Sequence, residues 1–195
     1  MNRSLKIYRL TAAALLCAVG IVIPLFSPIR FVIEPASFTL ASHVAVFLSM
    51  FISPVVAIAV SLGTTVGFAL GGFPIVIVMR ALSHVVFVCA GAFWLKYRPQ
   101  TLQSHAKTFC FNGVLAILHA VSEVLVVIPF YFGNLLGEKN YESGFLYSVI
   151  LLVGVGTVIH SSVDFYISAL LWRALSKNRE IAKISIAAAA PQQKS

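Results

Sequence analysis

The sequence is short of charge, and above all of negative charge. Among its 195 residues only six are Asp or Glu and fourteen are Lys or Arg, so charged residues make up 10% of the chain. A soluble domain carries roughly a quarter charged residues. Hydrophobic residues account for 59%, and the mean hydropathy is +0.96. The composition indicates an integral membrane protein with room for about six spans of roughly 20 residues.

Cysteine is equally scarce. Cys17, Cys89 and Cys110 lie in or at the end of hydrophobic segments without CxxC spacing, which excludes a disulfide or zinc framework. We expect them to be small buried hydrophobic side chains. The chain has no HExxH motif, and its Gly63–Gly67 segment lacks the Lys of a phosphate-binding loop. We therefore expect no catalytic residue, no cofactor and no bound metal.

Long hydrophobic runs dominate what is present. They predict spans near residues 9–26, 38–53, 55–72, 74–95, 108–133 and 146–173. The strands of a membrane barrel would be about 10 residues long and strictly alternating, so the fold class is all-α. We expect one six-helix transmembrane domain over residues 1–175 and a polar cytoplasmic tail over 176–195. That tail would begin as a short interfacial helix and end in disorder.

The basic residues predict the orientation, because Lys and Arg are retained on the cytoplasmic side. Both termini and the loop after the fourth span are rich in them and are therefore expected to be cytoplasmic. The net charge of +8 then reflects topology in a multi-pass cell-membrane protein, and no nucleic-acid partner is expected. Eleven of the fourteen lie in these regions: Arg3, Lys6, Arg9, Lys96, Arg98, Lys107, Arg173, Lys177, Arg179, Lys183 and Lys194.

Three pairs of polar, ionisable residues interrupt the later spans. Each pair has i,i+4 spacing, which places both members on one helix face. Ionisable groups at such depth are costly and usually functional. We expect the first two pairs to meet in the outer half of the membrane, bordered by His43, and the third to lie deeper. The pairs are Arg80 and His84, His119 and Glu123, and His160 and Asp164.

Four interpretations of these pairs remain open. The first is that they are structural ion pairs, although a buried pair is weak evidence for stability. The second is that they bind a small anion or zwitterion, since Arg holds a carboxylate bidentately and aromatic rings supply apolar walls. The histidines and carboxylates suit a divalent metal, but Arg80 would repel a cation. An enzyme using a histidine and a carboxylate as acid and base is the fourth.

Two further segments bear on function. The stretch 27–37 contains Arg30 and Glu34 and is either a lid over the bundle or a solvated loop. Small residues recur every four positions at Gly63, Gly67 and Gly71, and for these glycines packing within the bundle is favoured. Ala14 and Ala18 have the same spacing, and they serve either packing within the bundle or contact with a partner subunit.

Three segments resemble the substrate-binding S-components of energy-coupling factor (ECF) vitamin transporters. They are Ile29–Val44 (IRFVIEPASFTLASHV), Gly63–Gly67 (GTTVG) and Arg80–His84 (RALSH). Within that superfamily the chain is most similar to the niacin-specific NiaX type, over about residues 8–173.

The resemblance implies a six-helix bundle in a bacterial plasma membrane that captures a vitamin, niacin in this type, near the external face. It implies docking on a transmembrane coupling subunit driven by two ATPase subunits, with Ala14 and Ala18 as the AxxxA docking motif. The chain would then be no enzyme. The expected substrate-binding residues are Arg80, His84, Glu123, His119, His43 and Glu34.

An alternative function belongs to another class. A stand-alone proton- or metal-coupled carrier would use the histidine and carboxylate cluster, with His160 and Asp164 as a proton relay. The halves of the chain show no convincing repeat of the kind such carriers use.

Overall fold

The computed structural model describes residues 3–33 and 36–187, which are almost wholly helical, so the all-α prediction is confirmed. A π-helical segment, Leu146–Val155, runs directly into the seventh helix. The elements are α1 (Arg3–Phe26), β1 (Arg30–Ile33), β2 (Ala36–Thr39), α2 (Val44–Ile52), α3 (Pro54–Leu70), α4 (Ile75–Tyr97), α5 (His105–Phe132), α6 (Glu138–Glu142), α7 (Gly156–Leu175) and α8 (Arg179–Ile184).

In the described part of the chain, four helices are long and apolar enough to cross a membrane: Arg3–Phe26, Ile75–Tyr97, His105–Phe132 and Leu146–Leu175. The apolar helix α3 is shorter, with 17 residues. The prediction of a full span over 38–53 is wrong. Its first residues form β2 and a turn in which Ala41 has a φ of 66°. Helix α2 therefore keeps nine residues, about 14 Å of a hydrocarbon core roughly 30 Å thick.

Helix α2 lies at the centre of the bundle. All nine of its residues are buried, and it packs against α1, α3, α4 and α7. Phe47 contacts Phe87 of α4 and Phe165 of α7, each with ring centroids 5.4 Å apart. Aromatic pairs at this separation add favourable edge and face contacts to the packing. The helix is thus held by protein on every side.

Helices α1 and α3 pack through the glycine row, as the spacing indicates. A Cβ added at Gly63 would lie 2.5 Å from Cys17 Sγ, and one at Gly67 would collide with the side chain of Ile21. Only a residue without a side chain allows the two backbones to approach this closely. The glycines therefore serve internal packing.

The opposite face of α1 is uncovered. Ala14 and Ala18 are exposed, whereas the buried residues of the helix are Ala13, Gly20 and Pro24. The AxxxA pair thus points away from the protein's own core.

The cysteines are less buried than expected. Cys17 and Cys89 are half-buried, and Cys110 is exposed near the start of α5. The prediction of burial is wrong for Cys110, because its position on α5 faces outward and α4 and α7 cover the other side of that helix.

The segment after α1 is an antiparallel β-hairpin. Arg30 pairs with Thr39 and Ile33 with Ala36, and the strands continue into a hydrogen bond from Leu40 N to Ile29 O. Phe38 fits against Gly156, where an added Cβ would lie 2.6 Å from its ring tip. The hairpin is therefore fastened to the start of α7. Glu34 lies outside the described residues.

The beginning of the C-terminal tail is ordered against the bundle. The Asn178 side chain accepts a hydrogen bond from Glu180 N and caps α8. Arg9 Nε donates to Ile184 O at 2.8 Å, and the backbone N–H groups of Ile186 and Ala187 donate to Phe51 O. The predicted short helix is present. The end expected to be disordered, residues 188–195, lies outside the described part.

Candidate functional site: a polar cavity lined by histidines

A cavity of about 60 Å³ lies where the hairpin meets the helices. A water molecule needs about 10 to 15 Å³ by the same measure, so there is room for several waters or one small molecule. The wall combines hydroxyl, imidazole and charged groups with apolar side chains: Gly20, Pro24, Thr39, Ser42, His43, Val46, Thr64, Phe68, Phe73, Ile77, Arg80, Ala81, His84, Glu123, Thr157 and His160.

An ion pair between α4 and α5 forms one side. Arg80 Nη2 donates to Glu123 Oε2 at 2.8 Å, and both side chains are buried. The Thr157 hydroxyl of α7 donates to the same oxygen. Charges buried this deeply are tolerated when paired and hydrogen-bonded. Three helices are therefore tied together at Glu123.

Two histidines face the other oxygen of Glu123. His84 Nε2 and His119 Nε2 each lie 3.4 Å from Oε1. The remaining ring nitrogen of His119, Nδ1, lies 3.0 Å from Ser161 Oγ of α7. The His119 ring also stacks on Phe87, with centroids 4.3 Å apart. Its position is thus fixed by a hydroxyl at one edge and an aromatic face below.

Asp164 organises the start of α2. It accepts hydrogen bonds from Ala41 N at 2.8 Å, from His43 N at 2.9 Å and from His43 Nδ1 at 3.1 Å. His43 is the residue that precedes α2, and its side chain makes no cap of its own. The Asp164 carboxylate satisfies the N–H of His43, one of the terminal donors that has no partner within the helix, and the N–H of Ala41 in the preceding turn. It also orients the His43 ring.

His160 faces the same cavity. Its Nε2 lies 3.1 Å from Ser42 Oγ, and its ring centroid is 5.0 Å from that of His43. His160 therefore lines the same cavity as Arg80, His84 and Glu123. Asp164, one turn further along α7, reaches this group of side chains through its bond to His43.

The structure brings together most of the predicted site residues. His43, Arg80, His84 and Glu123 line the cavity, and His119 sits directly behind Glu123. Glu34 is outside the described residues. Sequence reasoning missed the hydroxyl groups of Ser42, Thr157 and Ser161. The i,i+4 rows Thr157–Ser161 and His160–Asp164 on one helix are the signal that would have found two of them.

Aromatic side chains close the cavity at the hairpin side. The rings of Phe68 and Phe73 stack with centroids 4.7 Å apart, and both residues line the cavity. Phe38 of β2 packs on His160, with centroids 5.4 Å apart. The site therefore offers a cation and carboxylate at one end and flat apolar walls at the other, which suits a small planar molecule that carries charge.

Comparison with known proteins agrees with a membrane transport role. No family model matches the chain, and no solved structure matches it. The curated protein "Niacin transporter NiaX" of Lactococcus lactis subsp. cremoris (strain MG1363) is 42% identical over 176 residues, which cover 90% of this chain and 78% of that protein. The chain itself has several apolar helices of membrane length and is a multi-pass cell-membrane protein. Because it is 42% identical to this transporter over most of its length, it belongs to the NiaX family.

Proposed function

We propose that the protein captures nicotinate from outside the cell and that the polar cavity is its binding site. The observation that carries this proposal is Arg80, a buried guanidinium on the wall of a cavity of small-molecule size. The relative that is 42% identical to this chain over 176 residues is named as a niacin transporter. That name supplies the substrate class.

Arg80 is the proposed partner of the substrate carboxylate. A guanidinium has five N–H donors in a planar fork, and one of its nitrogens, Nη2, serves Glu123. A carboxylate on the cavity side would share the guanidinium with Glu123. Charge-assisted bonds of this kind are about twice as strong as neutral ones. Arg80 thus distinguishes an acid from its uncharged amide.

The pyridine ring is proposed to lie between the carboxylate end and the aromatic wall. Phe68 and Phe73 offer flat faces for the ring. The ring nitrogen would meet His84 or Glu123, since an imidazole can donate or accept and a carboxylate can accept. The hairpin, held by Phe38, would cover the ring and exclude water.

We also propose that the protein is the S-component of an ECF-type importer. The uncovered Ala14 and Ala18 face of α1 would dock on a transmembrane coupling subunit, because small residues permit close helix approach. Two separate ATPase subunits would provide the energy. The sequence carries no phosphate-binding loop of its own, which supports this division of labour.

The stand-alone carrier is the second candidate. The observation in its favour is the contiguous set of Ser42, His43, His160 and Asp164, all within hydrogen-bonding reach. However, Asp164 holds the turn before α2 by accepting the N–H groups of Ala41 and His43, a structural task that accounts for its burial without a proton relay. This arrangement favours capture over proton relay.

The test of the substrate is titration calorimetry on the purified full chain with nicotinate and nicotinamide. The wild-type protein is expected to bind nicotinate at least a hundredfold more tightly than nicotinamide. Arg80→Lys keeps a positive charge beside Glu123 but loses the planar fork, so nicotinate affinity should fall at least tenfold.

Asn112→Ser is the matched control. Asn112 is a buried polar residue of α5, like Glu123, but bonds Ser162 and does not line the cavity. Its replacement should leave nicotinate affinity within about twofold. Equal binding of the acid and the amide by wild-type protein, or undiminished nicotinate binding by Arg80→Lys, would exclude the carboxylate clamp.

A further inference from the structure

At the cavity wall, three histidines and one carboxylate converge from three parts of the chain. His43, His84, His119 and Glu123 each present one possible ligand atom, and these four atoms lie within 4.8 Å of one another. The imidazole rings of the three histidines are mutually 4.8 Å apart by centroid. Neutral imidazole is the commonest metal ligand in proteins.

The spacing suits a tetrahedral ion. Zinc binds histidine nitrogen and carboxylate oxygen at about 2.0 to 2.2 Å, so adjacent ligands of a tetrahedral site are about 3.3 to 3.5 Å apart. Glu123 Oε1 lies 3.4 Å from His84 Nε2 and 3.4 Å from His119 Nε2. Two edges of the tetrahedron are therefore already at the required length.

Each of three ligands has an outer partner of the type that metal sites use. Metal-binding histidines usually direct their second nitrogen to a carboxylate, carbonyl or water, which fixes the ring and its tautomer. Here Asp164 accepts from His43 Nδ1, and Ser161 lies against His119 Nδ1. Glu123 is held through its other oxygen, Oε2, by Arg80 and Thr157.

One of the ligand atoms makes only a weak contact that an ion would replace. His119 is fully buried, and its Nε2 faces Glu123 Oε1 at 3.4 Å without forming a hydrogen bond to any residue that the structure describes. A buried polar atom without a hydrogen bond is costly, and a metal ion between the two atoms would satisfy it. Arg80 bonds Glu123 Oε2, and the two histidines face Glu123 Oε1. The guanidinium and the metal ion would therefore use different oxygens of the carboxylate.

We propose that His43, His84, His119 and Glu123 form a binding site for one divalent transition-metal ion of the Zn²⁺ class. Three imidazoles and one carboxylate are a donor set that zinc accepts. The ion needs an unprotonated Nε2 on His84 and on His119, so a neutral ring binds it with its proton on Nδ1 and a protonated ring releases one proton to solvent. Because three of the ligands also line the cavity, the ion and any cavity ligand are thermodynamically linked.

The test is calorimetric titration of the full chain in detergent with ZnCl₂ alone, in a buffer free of chelators. The wild-type protein should bind one Zn²⁺ per chain. His119→Gln should lower the affinity at least tenfold. His105→Gln is the matched control, since His105 is exposed at the start of α5, and it should bind as wild type does.

A second variant keeps the test decisive if His119→Gln does not fold, which thermal unfolding would reveal. Ser161→Ala removes only the outer partner of His119, and loss of such partners typically costs about tenfold or more in metal affinity. Titration with CoCl₂ should also give the intense visible bands of a tetrahedral cobalt site. The proposal is overturned if wild-type protein binds no Zn²⁺ stoichiometrically, or if His105→Gln weakens binding as much as His119→Gln and Ser161→Ala.

Discussion

At the scale of single residues, the most consequential side chain is Asp164, the one aspartate of the sequence. It is fully buried and accepts from two backbone N–H groups and one imidazole, all belonging to the turn before α2. A charged acceptor at a helix start also meets the positive end of the helix dipole. The residue therefore stabilises a helix to which it is not joined in sequence.

Replacing Asp164 should reveal this role in stability. Asp164→Ala leaves two partly buried N–H groups without an acceptor, and since an unsatisfied buried group costs about 1 to 3 kcal/mol, the free energy of unfolding should fall by roughly that much or more. Asp164→Asn keeps one acceptor oxygen and should lose less. Thermal unfolding in detergent measures both. Ser168→Ala removes a bond of Ser168 Oγ to the Asp164 carbonyl within the same helix, and an equally large loss there would contradict the capping role.

At the scale of elements, the hairpin and the π-helical segment meet at Gly156. This glycine begins α7, and Phe38 of β2 occupies the space where its side chain would be. Phe38 in turn packs on His160 at the cavity wall. The packing of the hairpin against α7 therefore depends on one residue without a Cβ.

Gly156→Ala should weaken hairpin closure. The new methyl group would lie 2.6 Å from the Phe38 ring tip, which forces the ring outward, so nicotinate should dissociate several-fold faster in a stopped-flow chase experiment. Phe38→Ala should do the same. Gly154→Ala is the control, because its Cβ would meet only ordinary contacts at 3.4 Å and beyond. Equal dissociation rates for Gly156→Ala and Gly154→Ala would refute this account of closure.

The elements also show which features sequence reasoning can reach. The i,i+4 spacing predicted that two polar pairs meet inside the bundle. The prediction rests on the fixed periodicity of a helix and on the cost of exposing a charged side chain to lipid. The pairs are Arg80 with His84 and His119 with Glu123. Sequence reasoning did not find the hairpin, since β1 and β2 are only four residues each and continue a hydrophobic run. Nor did it find the π-helical segment Leu146–Val155, because a π-helix differs from an α-helix in its hydrogen bonding and not in its composition.

At the scale of the whole molecule, α1 has two faces with different surroundings. One face fits the glycines of α3, and the other leaves Ala14 and Ala18 uncovered. The polar cavity lies beyond the buried face, where Gly20 and Pro24 contribute to its wall. A partner on the uncovered face would therefore leave the cavity wall unchanged.

Ala14→Trp and Ala18→Trp should separate the two activities. Each adds a bulky ring to the proposed docking face, so nicotinate binding should remain and uptake by vesicles containing the coupling subunit and ATPases should fall at least tenfold. Leu125→Trp, on the exposed face of α5, is the control and should transport normally. Uptake by the chain alone that an uncoupler abolishes would instead establish the stand-alone carrier.

The shortness of α2 has a consequence for how the chain reaches its folded state in the membrane. A nine-residue apolar helix cannot cross the bilayer by itself. It is also synthesised well before Asp164, the residue that accepts the N–H of His43, because the two residues are 121 positions apart in the sequence. Until α7 has been inserted, the N–H groups at the start of α2 have no such acceptor. The polar cluster can therefore form only after α7 has been inserted.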